Sequence, residues 1–187
     1  ILMPGSDFRN LMAESESSRN SGILTDAGGG RNAHGTYQFI EDRLTDFRNA
    51  TGENFTEEDF LADADLQERV MDWHEQDIVN YAMDNGLDQF IGQEINGVPV
   101  DMPAIVAMGH LGGRKGMRLF LQSAGGGDTD KPDKFGTRIS DYGKKFAGKS
   151  LYRETPMRPQ TRPKGLLSPA APPTSLYPQM RPRGLLD

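Results

Sequence analysis

The sequence predicts a mostly α-helical domain of the α+β class, with a small glycine-rich hairpin region and an extended proline-rich C-terminal tail. Apolar residues recur at helical spacing over most of residues 1–149, strand signals are few, and three consecutive glycines interrupt the pattern at 28–30. Residues 150–187 lack any apolar period and hold eight of the twelve prolines, which is typical of an extended chain. We therefore expect a folded domain over 1–149 and a tail over 150–187.

The first helix is predicted to begin at Ser6 or Asp7, either of which can cap it, and to end near Glu16. A glycine-rich connection over 26–34 follows. Because it cannot be regular helix, we expect a loop or a short hairpin there. The segment GTYQF leaves this connection and opens a second helical pattern that ends near Gly52.

The remaining elements of the domain are also predicted to be helical. Residues 56–86 are expected to hold two helices, the first with an acidic N-terminal turn. Asp101 precedes an apolar helix, AIVAMGHL, which glycines at 112 and 113 end. A short helix over 117–122, a glycine-rich acidic loop and the segment FGTRISDYGKKF complete the domain.

Composition excludes several classes of function. The chain has no cysteine, so a disulfide, a thiolate metal site and a cysteine nucleophile are ruled out. No run approaches the roughly 18 apolar residues that a membrane span needs, so none is expected. The net charge of −6 disfavours nucleic acid as the main partner. This charge is uneven, since 1–149 hold 15 Lys and Arg against 25 Asp and Glu, whereas 150–187 hold 6 against 2.

The tail contains a repeated motif, RPKGLLS at 162–168 and RPRGLLD at 181–187. Two copies of one short basic and apolar pattern suit two equivalent surfaces, so we expect them to dock on a partner. A low-complexity spacer duplicated by drift is the alternative. The predicted docking residues are Arg162, Pro163, Gly165, Leu166, Leu167, Arg181, Pro182, Gly184, Leu185 and Leu186.

The stretch AESESSRNSG places Glu14 and Glu16 at the end of the first predicted helix, beside the glycine-rich connection. One carboxylic acid there could protonate the leaving oxygen of a glycosidic bond, if a partly apolar wall keeps it protonated near neutral pH. Phe8, Met12 and Phe39 are available for that wall. Substrates with a 2-acetamido group can supply their own nucleophile, so a single acid suffices. The alternative is an ordinary solvated carboxylate, and Glu14 competes with Glu16 for any special role.

Four segments resemble motifs of lysozyme-like lytic transglycosylases, which cut the MurNAc to GlcNAc bond of peptidoglycan. ESSRN at 16–20 resembles the E-S-x-x-N signature at the catalytic glutamate, and GTYQF at 35–39 is similar to the second motif, beside the acid. AIVAMGHLGGRKGMRLFL at 104–121 resembles the third motif, and GTRISDYGKKF at 136–146 a segment that closes the domain in phage-encoded members. The resemblance covers about residues 5–147 and implies a lysozyme-like fold in which the hairpin region lines a cleft.

The resemblance also implies roles for single residues. Glu16 would be the general acid that then becomes the base, while Ser17 and Asn20 would brace the helix end. Gln38 would contact substrate or orient the glutamate, and Tyr37 would pack on a sugar ring. Both could instead be hairpin residues that pack and bond to backbone. The full set of predicted substrate-binding residues is Ser17, Asn20, Gly35, Tyr37, Gln38 and His110.

Two features leave the product of the reaction open. Where the third motif commonly has a Tyr-Asn pair before its glycine, this chain has Met108, Gly109 and His110. The choice between a 1,6-anhydro-forming transglycosylase and a water-using muramidase is therefore undecided. If a second carboxylate takes part, Asp26 is the candidate nearest in sequence, in a loop that could face Glu16.

No metal site and no cofactor is predicted. The three histidines, His34, His74 and His110, show no HxxxH or HExxH spacing. The acidic loop that begins at Asp128 imitates the start of a calcium loop, but Pro132 and the missing downstream glutamate break that pattern.

By this resemblance the partners would be peptidoglycan glycan strands and, through the tail, other virion proteins of a tail or ejection assembly. The docking motifs, the similarity to phage members and a start at isoleucine, typical of a processed product or of a piece of a longer protein, suggest a virion-associated enzyme. It would act in the host periplasm and cell wall during genome entry. The alternatives are a structural virion protein with an idle lysozyme-like cleft, and a cell-wall binding module without turnover.

Overall fold

The computed structural model describes residues 6–151, and in this part of the chain helices predominate over two small antiparallel sheets. The predicted class, helical with a small strand region, is confirmed. The docking motifs predicted at 162–167 and 181–186 lie outside the described residues. The elements, in chain order, are α1 (Asp7–Ser17), β1 (Leu24–Gly28), β2 (Arg31–His34), β3 (Phe39–Ile40), α2 (Glu41–Thr51), α3 (Glu57–Ala62), α4 (Ala64–Asp84), β4 (Glu94–Ile95), β5 (Val98–Pro99), α5 (Met102–Gln122) and α6 (Ile139–Phe146).

Capping side chains fix where four helices begin. Ser6 accepts a hydrogen bond from the backbone N–H of Arg9 at the start of α1, and Thr56 forms a capping box with Asp59 at the start of α3. Asp63 ends α3 and caps α4, and Asp101 caps α5. The sequence predicted a cap at Ser6 or Asp7 and helix starts at residues 56 and 101, and at each start a Ser, Thr or Asp oxygen satisfies a free N–H group of the first turn.

The glycine-rich connection is a β-hairpin rather than an irregular loop. Strands β1 and β2 pair antiparallel from Leu24 opposite His34 to Gly28 opposite Arg31. The turn residues 29 and 30 are glycines with φ of 66° and 74°, which a side chain would disfavour. Strand β3 adds to β2 and leads directly into α2, so the hairpin is tied to the helical part of the domain.

The long helices α4 and α5 pack closely at Gly109, where an added Cβ would lie 2.8 Å from Ile78 Cγ2. Helix α5 is broken at Gly113, whose φ of 67° and ψ of 168° are not helical. The sequence predicted this interruption and a separate short helix after it. The second sheet, β4 with β5, was not predicted, because strands of two residues are too short to show a period.

The core between α1, α4, α5 and α6 is filled by large side chains that are less than 2 % exposed. They include Phe8, Met12, Phe120 and Phe146. The backbone N–H of Phe8 donates to the carbonyl of Ser150 at 3.2 Å, so the two ends of the described chain meet. Within residues 6–151, no helix is both long enough and apolar enough to cross a bilayer.

Candidate active site

A cleft of about 1220 Å³ opens over the C-terminal end of α1. The β1–β2 hairpin and the start of α2 form one wall, α4 and α5 form the back, and the loop before α6 forms the other wall. Lys134 joins the two walls, since its Nζ donates to the backbone carbonyl of Asp26 at 2.8 Å and its side chain lies against Gly28. Glu16 and Gln38 line the same cleft.

Glu16 lies in the last turn of α1, which ends because Ser18 and Arg19 both adopt left-handed backbone angles. Its side chain is 16 % exposed, and its Oε1 accepts a hydrogen bond from the Tyr142 hydroxyl and lies 3.7 Å from His110 Nε2. Glu14, two residues earlier, is 60 % exposed and pairs with Arg19 at the surface. The structure therefore separates the two glutamates that the sequence left in competition.

The two groups that contact Glu16 are uncharged near neutral pH. Burial, followed by the negative charge of Glu16, raises the pKa of the Tyr142 hydroxyl far above its usual range, so it stays a donor. Burial lowers the pKa of His110 although the nearby Glu16 charge opposes that shift. Among the described residues no lysine or arginine forms an ion pair with Glu16, so its carboxyl meets hydrogen-bond donors but no fixed cation.

Three of the predicted substrate-binding residues, Ser17, Asn20 and Gly35, do not line the cleft; they hold the backbone around the end of α1 and the hairpin. Ser17 donates to the carbonyl of Thr36 at 2.8 Å and accepts from the backbone N–H of Asn20 at 3.1 Å. The side chain of Asn20 accepts from the backbone N–H of Gly22. Gly35 has a φ of 71°, and an added Cβ would lie 2.6 Å from Gln67 Oε1. Ser17 and Asn20 were predicted to brace the helix end. Gly35 was predicted to contact substrate, and this is corrected, because Gly35 packs its backbone against Gln67 instead.

Tyr37 corrects a second prediction. It is 3 % exposed, it is not part of the cleft wall, and its hydroxyl donates to Glu68 Oε1 at 2.5 Å. A ring so buried cannot pack on a sugar, so the alternative interpretation, a packed hairpin residue, is the right one. Gln38 does line the cleft, but its amide is committed to the hairpin, because Oε1 accepts from the Thr25 hydroxyl and Nε2 donates to the Gly35 carbonyl at 2.9 Å.

His110 lines the cleft but has only 7 % of its side chain exposed, and it contacts Glu16 as well as His74. The apolar wall expected around the glutamate is supplied at the cleft by Phe39, whose ring lies 5.8 Å from that of His110. Phe8 and Met12 are fully buried in the core beneath.

Tyr142, His74 and Arg43 also belong to this site, and sequence reasoning missed them. Tyr142 stands in the closing segment GTRISDYGKKF, so a signal existed, although 126 residues separate it from Glu16. The third motif lacks the tyrosine that is common before its glycine, and α6 brings a different tyrosine to the glutamate. For His74 and Arg43 no motif gave a signal, because their roles follow from the packing of α2 and α4 against α5.

Besides Glu16, the carboxylates of Asp26, Asp46 and Asp133 line the cleft, and Asp46 lies 3.3 Å from Arg43 Nη1. Asp26 is 78 % exposed at the rim, accepts from the backbone N–H of Gly28 at 2.6 Å, and lies 3.7 Å from Lys134 Nζ. Asp133 belongs to the loop that sequence reasoning treated as an acidic surface loop. Its Oδ1 accepts two backbone N–H bonds, from Phe135 and Thr137, and its charge contributes to the raised pKa of Tyr142. Asp133 is therefore a second carboxylate candidate beside the predicted Asp26.

The rim also presents an exposed aromatic ring and basic groups. Phe135 is 73 % exposed, and Lys134 Nζ lies 4.7 Å from its ring centroid. Arg31 and Arg114 line the same cleft. Within residues 6–151 no group of three or more histidines and acids is placed to hold a metal ion.

No protein-family model, no curated protein and no solved structure matches this chain. The resemblance to lytic transglycosylases therefore depends on the four quoted segments, and the function has to be argued from the geometry of the cleft itself.

Proposed function

We propose that this chain cleaves the MurNAc to GlcNAc bond of peptidoglycan glycan strands, with Glu16 as the general acid and then the base. The proposal depends on one observation above all. Glu16 lies at the floor of a large cleft, shielded to 16 % exposure, and it is contacted by the Tyr142 hydroxyl and by His110 rather than by a cation. A carboxyl that is locked in an ion pair could not pass a proton to a substrate so readily.

The chemistry follows from this arrangement. Protonated Glu16 gives its proton to the glycosidic oxygen as the bond from the anomeric carbon to that oxygen breaks, and the substrate's acetamido oxygen forms a new bond to the same carbon. The Tyr142 hydroxyl and His110 stabilise the carboxylate that remains. In the second step the oxygen of water or of the 6-hydroxyl of the same sugar bonds to the anomeric carbon, the bond from that carbon to the acetamido oxygen breaks, and Glu16 takes the proton that the attacking oxygen loses. Water gives a reducing end and the 6-hydroxyl gives an anhydro end.

The dimensions of the cleft support a polymeric substrate. Its volume of about 1220 Å³ exceeds the roughly 300–1,000 Å³ of pockets for small ligands. It extends from the hairpin past Glu16 to the exposed ring of Phe135. An exposed aromatic ring is suited to packing against the apolar face of a sugar, and the neighbouring Lys134 could contact the acidic substituents of the strand.

The biological setting in the proposal is a phage virion, in which the enzyme opens the host wall locally as the genome enters. The resemblance of the closing segment to phage-encoded members and the repeated RP[KR]GLL motifs support it. The basic tail would attach the enzyme to other virion proteins, while the acidic domain would act on the wall in the periplasm.

The test uses the full chain on purified peptidoglycan sacculi, with turbidity and released fragments as readouts. We expect the wild type to clear the suspension and Glu16→Gln to slow clearing about 10²- to 10⁴-fold, the usual contribution of a general acid. Glu14→Gln is the matched control, because the same change is made two residues away at a 60 % exposed position. It should clear at the wild-type rate within about twofold, as for an ordinary surface substitution.

The mass of the released fragments identifies the product, since a reducing end and an anhydro end differ by one water. A Glu16→Gln protein that clears as fast as the wild type would overturn the assignment of the acid. If all three proteins are folded but none clears the sacculi or releases fragments, the alternative of a structural virion protein is favoured. Co-sedimentation with sacculi without fragment release would favour the binding module.

A further inference from the structure

A line of side chains runs from the back of the cleft towards Glu16, and its first three members are joined by hydrogen bonds. Arg43 Nε donates to His74 Nδ1 at 2.8 Å, and His74 Nε2 lies 3.0 Å from His110 Nδ1. His110 Nε2 then lies 3.7 Å from Glu16 Oε1. The four residues come from α2, α4, α5 and α1, so their alignment is a product of the tertiary fold.

The chemistry of these groups fixes the direction of the line. A guanidinium is always charged and can only donate, so His74 Nδ1 must accept. Burial first, and then the positive charges of its neighbours, lower the pKa of His74 well below its usual range, so the ring is neutral and carries a single hydrogen. That hydrogen must lie on Nε2, which therefore donates to His110 Nδ1. His110 is then left with its own hydrogen on Nε2.

The group that faces the remaining His110 N–H is an acceptor. Glu16 Oε1 lies 3.7 Å from His110 Nε2, and an ionised carboxylate cannot donate. The Nε2–H form of His110 therefore points its hydrogen at an acceptor.

Arg43 is itself held in place. Its Nη2 donates to Asp77 at 2.6 Å, its Nη1 lies 3.3 Å from Asp46, and its guanidinium lies 4.0 Å from the centroid of the Trp73 ring. Asp77 also pairs with Arg114. The orientation of the first donor is thus set by three contacts that do not involve a histidine.

We propose that Arg43 and His74 act as positioning residues, which lock His110 in its Nε2–H form so that a neutral donor always faces Glu16. The Arg43 guanidinium can only donate, so His74 must accept at Nδ1 and donate from Nε2. His110 must in turn accept at Nδ1 and carry its own hydrogen on Nε2. In the reaction, the aligned N–H would stabilise the carboxylate that forms when Glu16 gives up its proton, without forming a fixed ion pair with it. This last step depends on the proposed function, whereas the locked tautomer does not.

The experiment is a long-range ¹H–¹⁵N correlation spectrum of the untagged, ¹⁵N-labelled full chain at about pH 7, which identifies the nitrogen that bears hydrogen in each histidine. The chain has three histidines, and substitution of each by glutamine assigns its signals. We expect His74 and His110 to be neutral with hydrogen on Nε2. His34 is an internal reference, because its Nδ1 lies 2.9 Å from the Phe39 carbonyl and must carry hydrogen to bond to it. Hydrogen on Nδ1 of either His74 or His110 would overturn the proposal.

Arg43→Met removes the fixed donor. The Nδ1–H share of His74 should then rise at least about fivefold, as expected for one lost hydrogen bond, and His110 should follow it. Arg43→Lys, which still only donates, should restore the wild-type tautomers. Arg48→Met is the matched control, because Arg48 lies on the same helix as Arg43, α2. Arg48 also pairs with an acid, Glu41, and lies over an aromatic ring, that of Phe55, but among the described residues it forms no bond to a histidine. Unchanged tautomers in Arg43→Met would also overturn the proposal.

The cleavage assay separates this inference from the proposed function. If the wild type cleaves sacculi, Arg43→Met should slow cleavage about tenfold, with Arg43→Lys recovering part of the loss; a hydrogen bond to a charged group has that order of effect. If the wild type does not cleave, the proposed function is wrong, and the tautomers still test the positioning of His110. If the wild type cleaves but His74 or His110 carries hydrogen on Nδ1, only the positioning proposal is wrong.

Discussion

The two ends of α1 carry two buried polar sites that are built in opposite ways. Near the N-terminal end, Arg9 is 4 % exposed and its guanidinium binds Glu75 through two hydrogen bonds of 2.6 and 3.0 Å. It also pairs with Glu68 and Asp72. At the C-terminal end, Glu16 has no such counter-charge and is met by a tyrosine hydroxyl and a neutral histidine.

The difference shows how a fold separates a structural charge from a reactive one. A buried charge is tolerable when an opposite charge and hydrogen bonds compensate its lost hydration, and the Arg9 site does this with three carboxylates. Such a locked group contributes to stability but cannot exchange its proton. Glu16 is contacted by the Tyr142 hydroxyl and by His110 but, within residues 6–151, by no cation, and it faces the cleft. It can therefore give up and take back a proton, as acid and base chemistry requires. Each site also has one buried tyrosine bound to a carboxylate, Tyr37 to Glu68 and Tyr142 to Glu16.

The largest effect on stability is expected from Arg9→Met. The substitution keeps an unbranched side chain but leaves the buried Glu75 carboxylate without its partner, and breaking a buried pair this way costs about 3–5 kcal/mol. Urea denaturation at neutral pH measures the loss. Cleavage per folded molecule should stay near the wild-type rate, because Arg9 lies outside the cleft.

Arg69→Met is the control for that prediction. Arg69 pairs with Glu53 at 3.1 Å with both side chains 40 % exposed or more, and exposed pairs contribute about 0–1 kcal/mol. An equal loss in the two variants would remove the contrast between a buried and a surface pair. A large loss of cleavage in Arg9→Met would show that the two ends of α1 are not independent.

A somewhat smaller effect is expected from pH, and it comes from the cleft side. The folded pKa values of His74 and His110 are both lowered, chiefly by burial, whereas an unfolded histidine titrates at about 6.5. Below about pH 6.5 the unfolded chain therefore binds more protons than the folded chain, and stability falls as the pH falls. From about pH 7.5 to about pH 5.5 we expect a loss of about 1–3 kcal/mol for the two histidines together, measured by urea denaturation at each pH.

The double variant His74→Gln with His110→Gln is the control for the pH effect. It removes both titrating rings from the same interface, so the dependence between about pH 7.5 and 5.5 should flatten. A variant that keeps the full wild-type slope would assign the pH dependence to other groups. Comparing slopes within each protein avoids any need for the two proteins to be equally stable at neutral pH.

The sequence predicted the parts of the fold that depend on local chemistry. Helices begin at the predicted positions after Ser6, Thr56 and Asp101, and Gly113 breaks α5, because capping and left-handed backbone angles are properties of a few adjacent residues. The division between Glu14 and Glu16 could not be made this way. Both acids lie near the end of one helix, and only the position of α1 against α5 and α6 decides which of them faces the cleft.

The candidate site was predictable to the same limited degree. Glu16, Gln38 and His110 line the cleft, as the quoted segments suggested, but Tyr37 was wrongly expected there. Tyr37 lies in the turn between β2 and β3, and residue type alone cannot tell on which side of a turn a ring will pack. Tyr142 reaches Glu16 across 126 residues, and contacts of that range follow from how helices pack rather than from any period in the sequence.

The smallest of these effects is expected from removing one hydroxyl. Tyr142→Phe deletes the hydrogen bond to Glu16 but keeps the ring that packs on Phe146. Because a hydrogen bond to a charged group is worth about 1.5–3 kcal/mol and His110 remains nearby, we expect the rate of sacculus cleavage to fall about tenfold.

Tyr37→Phe makes the same chemical change at the Arg9 site, where the hydroxyl donates to Glu68. It should lower the free energy of unfolding by about 1 kcal/mol and leave cleavage per folded molecule at the wild-type rate, since the ring does not line the cleft. Turnover of sacculi and urea denaturation of both variants check the pair. Equal losses of activity would mean that the hydroxyls act through packing, because only one of the two touches the proposed acid.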